Sequence, residues 1–135
     1  MDVRMDLSRI LIQDTREQQV IFLRERDADA EPAREFPIVI GDAEAMAIDR
    51  RLKGYRKERP MTHDLMADVI HGLDAELEKI LINDLKDHTF YARLVLRSHG
   101  ELIEVDSRPS DAIALGVAND TPIYVNEEVL NEVCQ

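Results

Sequence analysis

Asp106-Ser-Arg-Pro-Ser-Asp-Ala-Ile-Ala-Leu115 is the stretch from which the fold of this chain is read. Ahead of it, Glu101-Leu-Ile-Glu-Val105 alternates polar and apolar residues, as a strand with one wetted face does. Pro109 suits the first turn of a helix, where an amide hydrogen has no intrahelical partner anyway, and Ser107 is placed to cap that helix. A run without a polar side chain follows, Ala112-Ile-Ala-Leu-Gly-Val-Ala118. A helix apolar on every side has no face to give to water, so the sequence predicts a strand feeding an enclosed helix. Asp106, Arg108, Ser110 and Asp111 would gather at its mouth, where polar groups must be paired to offset their desolvation. Two readings stay open: Arg108 pairs with Asp106 or Asp111 to fix a turn, or the knot is a site.

A chain of 135 residues is expected to form one domain, 1–135, with a genuine core. Its hydrophobic content of 44%, with 5 Gly and 5 Pro, is that of an ordered globular protein. The lone Cys134 leaves neither a disulfide framework nor a cysteine zinc cluster. Met1 to Asp6 is charged and no apolar segment follows, so no signal peptide is expected. No apolar run is long enough to span a membrane, and the expected location is the cytoplasm.

A net charge of −11 opposes general binding to a phosphate backbone. The charge is unevenly spread, however. Arg50, Arg51, Lys53, Arg56, Lys57 and Arg59 stand against Glu58 alone within ten residues, a local +5 that leaves −16 for the rest. This segment is either a solvated helix end or a basic lip for nucleic acid, with Tyr55 as a platform for a base.

Taken in order, residues 2–13 and 18–24 read as strands around a turn over Asp14 to Glu17, and 36–40 as a third. Asp42 caps a predicted helix from Ala43 to Lys53, which Gly54 ends; Thr62 caps another running to Leu73. On the latter, Leu65, Met66, Val69, Ile70 and Leu73 form an apolar stripe, which leaves Asp64, Asp68 and His71 to solvent. The second half echoes the first. Ile10-Leu-Ile-Gln-Asp14 corresponds to Ile80-Leu-Ile-Asn-Asp84, and Glu44-Ala-Met-Ala-Ile48 to Asp111-Ala-Ile-Ala-Leu115. Thr89 to Arg97 and Glu101 to Asp106 supply later strands, and Glu127 to Val133 a last helix. The expected fold class is α+β: two β3-α2 units, about 1–74 and 75–135, sharing one curved sheet.

Phe36-Pro-Ile-Val-Ile-Gly41, Glu44-Ala45, Arg59-Pro-Met-Thr-His-Asp-Leu65, Ser107-Arg-Pro-Ser-Asp-Ala-Ile-Ala-Leu115 and Pro122-Ile-Tyr-Val125 occur in that order. With these blocks the chain resembles the bifunctional nuclease domain family over nearly its whole length. The resemblance implies a barrel-like sheet, duplicated helices, and cleavage of both DNA and RNA.

Phosphodiester hydrolysis needs an activated water and stabilised phosphoryl charge, often with a metal. In the matched blocks, Glu44, His63, Asp64, Arg108 and Asp111 are the candidate catalytic residues. The repeat makes Glu44 and Asp111 equivalent, at helix starts that also suit an anion. The same acids could merely complement helix dipoles. Glu44, Asp106 and Asp111 would hold a divalent ion, and their hard oxygens would favour magnesium or manganese. His63 and Asp64 would assist, and Arg108 would stabilise phosphoryl charge. The competing expectation is a non-catalytic binding or regulatory protein. Exposed strand edges point to a homo-oligomer under either reading.

Overall fold

Period-two alternation builds the sheet, and sequence-distant strands meet on its one apolar face. The computed structural model describes residues 1–13, 18–27, 32–55 and 57–134. In chain order these form β1 (Asp2–Leu11), β2 (Gln18–Glu25), β3 (Glu35–Gly41), α1 (Asp42–Leu52) and α2 (Thr62–Gly72). Next come β4 (Ala75–Lys86), β5 (Thr89–Ser98), β6 (Glu101–Ser107) and α3 (Pro109–Gly116). A 3-10 turn (Val117–Asn119), β7 (Ile123–Asn126) and α4 (Glu127–Val133) complete the order. The predicted turn over Asp14 to Glu17 and much of the acidic loop after Asp27 lie outside the described residues.

One sheet runs β3-β2-β1-β7-β4-β5-β6. β1 to β3 and β4 to β6 are antiparallel meanders; β7 joins them, antiparallel to β1 and parallel to β4. The register sets Met5 opposite Ile123, Ile123 beside Ile80, and Ile80 opposite Leu94. Ile21 faces Ile38, and Leu23 faces Phe36. These side chains form one buried face, filled by α3 and α1, whose Ile113 and Ile48 are fully enclosed.

Register shifts in β1, between Leu7 and Arg9, and in β4, at two places, bend the strands. The curl brings Phe36 of β3 to Phe90 of β5, with ring centroids 5.5 Å apart. The sheet nevertheless stays open, with β3 and β6 as its edges, which corrects the barrel-like expectation. Pro37 sits on one of those edges, where a missing amide hydrogen is tolerated.

The second half departs from the expected three-strand, two-helix unit. Its own fourth strand, β7, lies between α3 and α4, so the described residues form seven strands in place of six. The duplicated β3-α2 unit is therefore not established; the halves share only the order of three strands and then a helix.

The helix starts also differ from expectation. Gly41 rather than Asp42 is the N-cap of α1; Asp42 lies in the first turn and accepts a 3.2 Å hydrogen bond from Gln19 Nε2. Met61 rather than Thr62 precedes α2, and its amide donates to Asp64 Oδ2 at 3.0 Å. Ser107 does not cap α3; its hydroxyl donates to the Arg108 carbonyl at 2.8 Å.

Candidate active site

Three helix starts border one open cleft. α1 brings Ala43, Glu44, Ala47 and Arg50; α2 brings Thr62, His63 and Met66; the β6–α3 junction brings Asp106, Ser107, Arg108 and Asp111. The cleft measures about 680 Å³. Apolar Leu94, Val105, Met61 and Met66 make up much of its remaining wall.

Asp111 is the hub. Its Oδ1 lies 3.0 Å from His63 Nε2, while Oδ2 accepts from Arg108 Nε at 2.9 Å and lies 2.8 Å from Arg108 Nη2. An ionised carboxylate can only accept, so the imidazole gives its Nε2 hydrogen to Asp111 and Nδ1 is left as the basic nitrogen. Arg108 also reaches Glu44 Oε2 at 3.4 Å. Asp111 first, and Glu44 after it, raise the Arg108 pKa against the opposing cost of burial.

Glu44 is positioned by what Gly41 lacks. A β-carbon at residue 41 would lie 2.1 Å from Glu44 Oε1, so the missing side chain lets this carboxylate fold back over the start of its own helix.

Asp64 does not share in the cleft. It is 3% exposed and forms a buried ion pair with Arg51 Nη1. The same guanidinium donates from Nε to the Ala114 carbonyl at 2.7 Å and from Nη2 to the Leu115 carbonyl at 3.0 Å. Arg51 therefore ties α1 and α2 to the end of α3, and it is not available to a nucleic acid.

The basic segment is likewise not one surface. Arg50 lines the cleft and has no carboxylate within salt-bridge distance among the described residues. Lys53 pairs with Asp49 at 3.2 Å on the same helix. Tyr55 is exposed but borders a separate recess with Asp68 and His71. Lys57 and Arg59 are exposed on the approach to α2, and Arg56 lies outside the described residues.

Residues 21–135 match the bifunctional nuclease domain family. The chain belongs to that family. It is 40% identical over 121 residues to an uncharacterised protein of Mycobacterium tuberculosis, covering 90% of this chain and 70% of that protein. Bifunctional nuclease 1 of Oryza sativa subsp. indica is 25% identical over 97 residues, 70% of this chain and 29% of its own. Bifunctional nuclease 2 of Oryza sativa subsp. japonica is 26% identical over 97 residues, 70% of this chain and 30% of its own. No helix of the described residues is long and apolar enough to cross a membrane.

Within this bifunctional nuclease domain the expected metal ligands share a cleft without forming a cation site. Among the described residues no three His, Cys, Asp or Glu side chains are grouped to hold a metal ion. Glu44 and Asp111 instead share the Arg108 guanidinium, so a divalent ion between them would first have to displace an organic cation. The donor set does not fit magnesium or manganese as it stands. The apolar wall of Leu94, Val105, Met61 and Met66 went unread in the sequence. Its residues come from three elements, and no local pattern marks them as one surface.

Proposed function

We propose that this domain hydrolyses phosphodiester bonds of DNA and RNA in the cleft between α1, α2 and α3. Family membership supports the activity, and the His63–Asp111–Arg108 chain, with links of 3.0 and 2.8 Å, supports the place. Asp111 fixes the imidazole by its Nε2 hydrogen, and His63 Nδ1 takes a proton from the attacking water. As the water oxygen bonds phosphorus, the ester P–O bond breaks. The proton then passes to the departing oxygen, and the imidazole ends as it began. Arg108, together with Arg50 of α1, neutralises charge on the non-bridging oxygens. Glu44 keeps Arg108 over Asp111 from the other side. The apolar wall receives the flanking base. In this reading Asp64 and Arg51 hold the fold and take no part in the reaction.

The test is cleavage of labelled single-stranded DNA and RNA by highly purified protein, with and without chelator. His63→Gln and Asp111→Asn should each lower kcat/KM by about 10²-fold or more, the usual worth of a positioned acid–base group. Activity should survive the chelator, since among the described residues no three His, Cys, Asp or Glu side chains are grouped for a metal ion. Folded variants that cut as well as the parent would remove the reaction from this cleft.

A further inference from the structure

Helix α2 turns an apolar stripe away from the fold. At about 100° per residue, Leu65, Val69 and Leu73 lie along one stripe, with Thr62 and Met66 beside it. That stripe faces water: Leu65 is 54% exposed, Val69 50% and Leu73 69%. The side turned into the fold carries Ala67 and Ile70, packed against the core, together with His63 and Asp64, each satisfied by a partner from another helix. Edge strand β6 also shows Ile103 and Val105 to solvent on one of its faces, and Val105 lines the cleft together with Met66 of α2. An apolar surface drawn from two elements of one small domain marks an interaction site rather than scattered exposure.

We infer that a second copy of this chain packs on this face, α2 against α2, antiparallel about a twofold axis. Charge selects the occupant. Lys57 and Arg59, with Glu58 between them, flank the start of α2, whereas Asp74 follows its end, and all four are exposed. Antiparallel packing sets the basic end of each helix against the acidic end of its twin, and opposes the two helix dipoles as well. Pairing of β6 with its own copy would bring Glu101, Glu104 and Asp106 together, so that edge contributes its apolar side chains and not a strand ladder. Met66 belongs both to this face and to the cleft lining, which places the seam at the mouth of the cleft.

Sedimentation velocity on the whole chain, at about 1 to 100 µM, reads the result directly. A dimer is expected. Val69→Asp combined with Leu73→Asp should raise the dissociation constant by about tenfold or more, the cost of losing a central apolar contact. Both positions are solvent-facing in the single chain, so the variant should keep its circular dichroism spectrum. Arg59→Glu should weaken the dimer, and Asp74→Arg added to it should restore the dimer. A chain that stays monomeric throughout assigns the face to some other partner and overturns the inference. So does a dimer indifferent to the apolar pair and to the charge exchange.

Discussion

Asp64 and Asp111 are first-turn carboxylates on α2 and α3, and their surroundings divide their roles. Asp111 keeps one side on the cleft, whereas Asp64 is sealed with Arg51. Burial alone would raise the Asp64 pKa. The Met61 amide and the Arg51 guanidinium outweigh it, with a smaller contribution from Arg50, and the carboxyl sits below its ordinary value. Removing one member of such a pair strands the other charge, so Asp64→Ala should cost about 3–5 kcal/mol at pH 7. The pair's contribution is complete above the unfolded carboxyl value of about 3.9 and disappears as pH falls through the lower folded value. Urea denaturation of parent and variant should therefore show a wide stability gap at neutral pH that closes in acid. An equal gap at both ends would mean that Asp64 acts by shape and not by charge.

At the scale of elements, α1 shows how a glycine places a carboxylate. Gly41 has an ordinary φ of −75°, so its backbone does not demand glycine; Glu44 does. In Gly41→Ala the new β-carbon would push the Glu44 carboxylate off its seat and weaken its 3.4 Å contact with Arg108. Thermal stability should hold or rise slightly, since the substitution restricts the unfolded chain. kcat/KM should drop about tenfold if Arg108 depends on Glu44 for its position, as befits one lost charged contact. Parallel melting and cleavage measurements separate the two effects; unchanged turnover would release Glu44 from the mechanism.

The elements themselves were largely legible. Apolar patterning gave five of the strands, the echo of Ile10–Asp14 in Ile80–Asp84 pointed to a sixth, and the apolar run through Ala112 to Leu115 gave the buried α3. The orientation of α2 was not legible. Its periodicity locates the stripe of Leu65, Val69 and Leu73 correctly, but periodicity cannot say what the stripe faces. His63 and Asp64 go inward because Asp111 and Arg51, 48 and 13 residues away, satisfy them there. Arg51 in turn looked like any member of a basic run. The partners that decide these burials are remote in sequence, so the cleft could be guessed by residue type but not by which acid it excludes.

For the whole molecule, charge limits how a nucleic acid can be held. The chain carries −11, and its basic segment is dispersed, with Arg51 internal and Lys53 paired to Asp49. Of the described residues lining the cleft, only Arg50 and Arg108 are lysine or arginine, and Asp106 of β6 adds a further acid to Glu44 and Asp111. Such a surface can neutralise about two phosphates and offers no long track for a backbone. For single strands the slope of log affinity against log salt is about −0.7 per neutralised phosphate, so the expected slope is about −1.4. Measuring KM for a short labelled oligonucleotide across a salt series tests this, with the parent and Arg50→Ala compared. Arg50→Ala should flatten the slope by about half, since it removes one of the two contacts. A slope near −4 or steeper, about six phosphates' worth, would require a basic track outside the cleft, and the exposed Lys57 and Arg59 would be the first residues to reverse in charge.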